Sequence, residues 1–249
     1  MRRIQYFGGI LVAAIIAVAT PVFAANEGKA VGVDPDAVAE ADGADRVLVA
    51  GADISVGERI VTGASGKVQI IFADQTRLVV GPGSALVIEA YLLRGTDSVE
   101  QVSIAALSGT FRFITGRGPK EAYTIKTPNG TIGVRGTAFD LTVAPAFGTL
   151  VLLLHGAVRV CDSAGNCTEL TNRCDLGSVA PATGAILLEG PARSERLDAF
   201  PYAQFQSQLL AQFRVNGANG CVVPQAVATD GSLAGAGEPA PQRQPGPKD

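Results

Sequence analysis

The stretch VGERIVTGASGKVQIIFADQTRLVVGPGSALVI, residues 56–88, decides the fold. Val68, Ile70 and Phe72 recur at every second position, as do Leu78 with Val80 and Leu86 with Ile88. A period of two places these side chains on one face of a strand, and each run is too short for a helical stripe. Turn residues separate the runs at Gly63, Asp74 and residues 82–84. The same rhythm continues through Val102 and Ile104, then Phe111 and Phe113, with further breaks at Gly95, Gly109, residues 116–119, 128–130 and 145–148, and Gly156. Strands at this spacing predict an all-β sandwich, barrel or solenoid, in which these apolar residues form the core.

One strand breaks its own alternation. Ile132 and Val134 occupy even positions, whereas Phe139, Leu141 and Val143 occupy odd ones, so the parity changes across Arg135-Gly136-Thr137. An extra residue there predicts a β-bulge, and Gly136 supplies the backbone freedom it needs.

Outward from this core, residues 52–193 read as one β domain. Residues 25–51 are rich in Ala, Gly and Asp and read as a linker entering a first strand at Val47-Leu48-Val49. Past residue 193 the period changes. Tyr202, Phe205, Leu209 and Phe213 recur at three and four, which predicts one amphipathic helix over 194–217 covering a face of the sheet, the alternative being a helix that docks a partner. Residues 218–249, ending PAPQRQPGPKD, read as a largely disordered tail.

The first 24 residues have a basic start at Arg2 and Arg3, an apolar run, and a small-residue exit at Val22-Phe23-Ala24. They read as a signal peptide cut before Ala25, which predicts a periplasmic or secreted protein; the rival reading is an uncleaved anchor. The formal net charge of −3 and the lack of a long basic run argue against nucleic acid as a partner.

Four cysteines, Cys161, Cys167, Cys174 and Cys221, predict two disulfides in an exported chain. Three pairings are open. The turn-forming residues 162–166 favour Cys161 with Cys167, leaving Cys174 for Cys221. His155 is the sole histidine and no Cys-x-x-Cys accompanies it, so neither a metal site nor a Ser-His or Cys-His nucleophile is expected. Carboxylates at Asp74, Glu89, Asp97, Glu100, Glu121 and Asp140 are scattered over strands and turns without a catalytic motif. The reading is of a non-enzyme without a cofactor.

Two segments, residues 56–88 and 123–143, resemble the FecR domain. The resemblance rests on Gly57, Thr62-Gly63, residues 72–74, residues 81–84, Thr127-Pro128, the run from Gly133 through Arg135, Gly136 and Thr137 to Phe139, and a closing Gly156-Ala157-Val158. It spans about residues 54–160; Gln75 departs from the family's usual glycine. It implies an all-β domain of two packed, solenoid-like sheets, sandwich-like and lying outside the inner membrane. The family's best-known members are signal transducers, with a cytoplasmic arm on a sigma factor, one membrane helix, and a FecR-type region that reads an outer-membrane iron-siderophore receptor. With only a few residues ahead of the signal peptide, this sequence is expected to lack that arm. The expected function is therefore binding of an envelope protein or polymer, the alternative being periplasmic modulation of an iron-responsive receptor and sigma-factor pathway. Within the motif, Arg135 is expected to fasten the Thr127-Pro128 turn or to meet a partner carboxylate.

Overall fold

The computed structural model describes residues 27–95 and 98–222. The strands are β1 (Gly28–Asp34), β2 (Ala37–Ala41), β3 (Ala44–Val47), β4 (Asp53–Ile54), β5 (Arg59–Thr62), β6 (Lys67–Phe72), β7 (Arg77–Val80), β8 (Ala85–Leu93), β9 (Val99–Ile114), β10 (Tyr123–Thr127), β11 (Gly130–Ala144), β12 (Gly148–Asp162), β13 (Cys167–Leu170), β14 (Leu176–Ala180) and β15 (Gly184–Leu188). Short helical turns follow, including α1 (Gly190–Ser194) and α2 (Pro201–Gln204). The protein is all-β, with helical turns confined to its C-terminal part.

All strands join one hydrogen-bonded network, yet the pairing resolves it into two layers. The first half of β9 pairs with β8 and β10, and its second half pairs with β7 and β11. The first half of β11 pairs with β10, and its second half with β9. β12 follows β11 along both halves, carrying β13 on one and β14 on the other. Three long strands therefore belong to both layers. One layer runs β3, β2, β5, β8, β9, β10, β11, β12, β13; the other runs β4, β1, β6, β7, β9, β11, β12, β14, β15. Their inner faces share one apolar cluster that includes Ile70, Phe72, Leu86, Ile104, Phe113, Ile132, Phe139 and Leu153.

The bends have a local cause. Gly109 of β9, Gly136 of β11 and Gly156 of β12 all have positive φ, at 103°, 65° and 84°. The β11–β12 register shifts between Arg135 and Ala138, where the parity break predicts a bulge. The extra residue explains why even positions face inward before Gly136 and odd positions after it.

The outer faces differ. In the second layer Val79, Leu150 and Leu152 are buried on the side away from the shared core, beneath the C-terminal segment. The unbroken run from Leu150 to Leu154 is thus apolar because β12 is covered on both sides there. The first layer leaves its outer face open, lined by ion pairs such as Arg59–Glu40 at 2.8 Å and Lys126–Glu89 at 2.8 Å.

Two boundaries need correction. Residues 28–47, inside the expected linker, form β1, β2 and β3, and Ala30, Ala37 and Ala39 are core residues. Their side chains are small because the backbone packs closely; a Cβ on Gly28 would stand 3.0 Å from the Phe72 ring. The expected continuous helix over 194–217 is a set of short helical turns and extended links. Strand side chains hold its main chain in place of helical hydrogen bonds: Lys67 Nζ donates to the Gln208 carbonyl, and the Leu210 N–H donates to Gln69 Oε1, both at 2.8 Å. Of the expected tail, Ala218 and Cys221 are buried; the remainder from residue 223, like the expected signal peptide, lies outside the described residues.

Candidate functional site: the loop end of the sandwich

Because β9 bends at one end of the sandwich and β11 with β12 at the other, the connecting loops sort to two ends. At the far end sits a buried carboxylate. Asp74 is fully buried and accepts hydrogen bonds from the Tyr91 hydroxyl at 2.8 Å, the Tyr123 hydroxyl at 2.7 Å, the Thr76 hydroxyl at 2.6 Å and the Thr76 N–H at 3.0 Å. Burial, reinforced by the Asp74 charge, raises the pKa of both phenols well above the ordinary tyrosine value. The hub ties the β6–β7 turn to β8 and β10 and so joins the two layers. It has no solvent access, so its work is structural.

Nearby at the same end, the Thr137 N–H donates to Thr115 Oγ1 at 2.9 Å, and the Thr137 carbonyl accepts from the Thr115 hydroxyl at 3.2 Å. Phe139 is core, and Gly133 lies on the open layer opposite Arg159. Arg135 is exposed, and its side chain makes no hydrogen bond or ion pair among the described residues. It does not fasten the Thr127-Pro128 turn, which lies at the opposite end of the sandwich. That turn closes itself, with Thr127 Oγ1 accepting from the Gly130 N–H at 3.2 Å and donating to the Gly130 carbonyl at 3.1 Å.

The loop end is concave. Four connections converge there, residues 127–130, 144–148, 162–166 and 180–184, beside the bend of β9 at residues 107–109. Thr149 Oγ1 lies 2.9 Å from Thr127 Oγ1, and so brings the start of β12 in one layer against the end of β10 in the other. The Pro128–Asn129 tip then divides two grooves. One, of about 490 Å³, is bounded by Asn129, Asp162, Ser163, Asn166, Pro181 and Thr183. The other, of about 210 Å³, lies over Leu107, Val143, Pro145 and Pro181.

The larger groove is polar and fixed in shape. Asp162 accepts from the N–H groups of Ala164 and Asn166, both at 2.9 Å, and from Asn166 Nδ2 at 3.0 Å. The Asn166 side chain, followed by these backbone donors, holds the Asp162 pKa below the ordinary carboxylate value, so the groove keeps a negative charge at neutral pH. Cys161 and Cys167 are cross-strand partners in the β12–β13 ladder and form a disulfide directly beneath this turn. A second disulfide joins Cys174 to Cys221. Both bonds match the pairing favoured by the 162–166 turn. The motif residues thus separate: Pro128 borders the grooves and Thr127 closes the turn that carries it, while Arg135, Gly136 and Thr137 lie at the other end. Sequence reading missed Asn129, Asp162 and Pro181, which come together only because three hairpin turns share one end. Among the described residues no three His, Cys, Asp or Glu side chains cluster as a metal site would require.

Comparison with known proteins places this geometry. Residues 58–159 match the family model described as FecR protein. The segment contains the Asp74 hub, all three bending glycines and the Thr127–Gly130 turn, whereas the 162–166 and 180–184 loops lie beyond it. Two crystal structures of a candidate anti-sigma factor from Parabacteroides distasonis ATCC 8503, at 1.65 and 2.50 Å resolution, are similar at 17% and 16% identity. Each covers 56% of this chain with a TM-score of 0.42, and the chain spans 63% and 62% of theirs. No curated protein matches.

Proposed function

We propose that this chain is a non-catalytic, exported FecR-type module that binds a protein or polymer of the cell envelope through its loop end. The observation that carries this reading is the convergence of four loops at one end, where the FecR-matching Thr127–Gly130 turn separates two grooves. An ionised carboxylate, the Asn129 amide and the Ser163 and Thr183 hydroxyls stand beside proline surfaces there. That mixture suits a chain of repeating polar groups or an extended peptide. Export is supported by the two disulfides, which persist in oxidising compartments. No described helix is long and apolar enough to cross a membrane.

A photo-crosslinking residue placed at Asn129 or Ser163 should capture a specific envelope component, while the same residue at Glu40 on the open layer should not. Equal labelling from all three positions would overturn the loop-end assignment. The FecR match supports a signalling-related role as well, and a second reading follows: modulation of an iron-responsive receptor and sigma-factor pathway from the periplasm. Deleting the gene and measuring iron-responsive transcripts decides it, since unchanged transcripts would end that reading.

A further inference from the structure

The outer face of the covered layer reads the main chain of the segment lying on it. From α2 the segment crosses the sheet to β6 and returns. Arg77 Nη1 donates to the Gln212 carbonyl at 2.6 Å, Lys67 Nζ to the Gln208 carbonyl at 2.8 Å, and Arg112 Nη1 to the Phe213 carbonyl at 3.4 Å. Gln69 accepts the Leu210 N–H. Four strand side chains therefore grip backbone atoms that any sequence would offer. Side-chain identity enters through Leu209 and Phe213, which bury against Val79 beside Tyr202, and through Gln206, whose Oε1 accepts from Arg112 Nη1 at 2.8 Å.

Three further observations set this segment apart from ordinary core. Lys67, Gln69, Arg77, Val79 and Arg112 all lie within residues 58–159, whereas the segment that covers them lies outside that match. The fit is incomplete: Tyr202 Oη and Arg77 Nε are buried without a hydrogen-bond partner. Meanwhile Phe205 and Leu210 keep 55% and 39% of their surface exposed on the segment itself. It is also anchored at both ends, by the Thr142 hydroxyl on the Ala199 carbonyl at 2.6 Å and by the Cys174–Cys221 disulfide. Both anchors lie outside residues 205–214.

The geometry points to a peptide-docking face on β6, β7 and β9 that this chain fills in cis with residues 205–214. The partner it fits is a peptide segment carrying an aromatic residue four positions after a leucine, held by its carbonyls. This inference is independent of the loop-end reading. A tethered occupant has a high effective concentration, so an external peptide gains access in proportion to the lifted fraction.

Two measurements on the full oxidised chain test it. In native-state hydrogen exchange, the Leu210 amide should exchange at least 100-fold faster than ladder amides such as Leu141 and Leu152. Exchange in step with the ladder would mean that the segment is core, and would overturn the proposal. A labelled peptide of residues 202–216 should bind the Leu209→Asp, Phe213→Asp chain saturably, and the wild-type chain at least tenfold more weakly. Absence of binding to the double variant, with its β circular dichroism spectrum intact, would also overturn it. If that variant fails to fold, the exchange result alone decides.

Discussion

Arg112 and Asp140 are registered cross-strand partners of β9 and β11, and the guanidinium fork grips the carboxylate twice, through Nε at 2.6 Å and Nη2 at 2.8 Å. The arginine is fully buried and the aspartate nearly so. Burial raises the Asp140 pKa, and the Arg112 charge and hydrogen bonds oppose that shift. Removing one partner strands a buried charge. Arg112→Met should cost about 3–5 kcal/mol, whereas Arg112→Met with Asp140→Leu should recover most of the loss. Urea unfolding of the two variants checks this, and equal destabilisation by both would contradict it.

The Asp74 hub makes a second demand. Tyr123→Phe removes the donor to Asp74 Oδ2 but leaves the ring against Phe113, with centroids 6.1 Å apart. The loss should be about 1–3 kcal/mol, the cost of an under-satisfied buried acceptor. Asp74→Ala should cost more than either phenol deletion, because it removes the acceptor of both the Tyr91 and the Tyr123 hydroxyl proton at once. Thermal melts of the three variants rank them.

The bending glycines separate conformational strain from steric clash. A Cβ at Gly136 meets nothing within 4 Å, so Gly136→Ala should cost only the left-handed backbone penalty, about 1–2 kcal/mol. Gly136→Val should cost about 1–3 kcal/mol. At Gly156 a Cβ would stand 2.3 Å from the Gly136 carbonyl oxygen, so Gly156→Ala should be the worst of the three. An unchanged melting temperature for Gly136→Val would contradict the bulge account.

The disulfides should contribute unequally. Cys174–Cys221 spans 47 residues and Cys161–Cys167 spans 6. Loop-closure entropy predicts about 4 kcal/mol for the first and about 2 kcal/mol for the second. Paired Cys→Ser variants compared by denaturant midpoint measure the difference. Non-reducing mass spectrometry of the exported protein should find all four thiols oxidised.

What the sequence discloses follows from distance along the chain. The alternation of Val68, Ile70 and Phe72, the parity switch at Gly136 and the turn between Cys161 and Cys167 are local, and each is legible. β1 and β2 escape notice because their core positions are filled by Ala30, Ala37 and Ala39, which carry little strand signal. The C-terminal segment misleads because Tyr202, Phe205, Leu209 and Phe213 have helical spacing, yet Phe205 points to solvent and the sheet supplies the backbone partners. The Asp74 hub joins residues 17 and 49 positions apart, and the loop-end grooves join turns of separate hairpins. No periodicity encodes such meetings.

Because β9, β11 and β12 each serve both layers, neither layer can be assembled and left waiting for the other. Placing one half of β9 beside β8 commits its second half, beyond the bend at Gly109, to β7 and β11. The chain therefore has no natural halfway point at which one sheet is finished, and its many distant pairings must close before any of them is secure. Folding should be slow and all-or-none, and loosening either layer should loosen both.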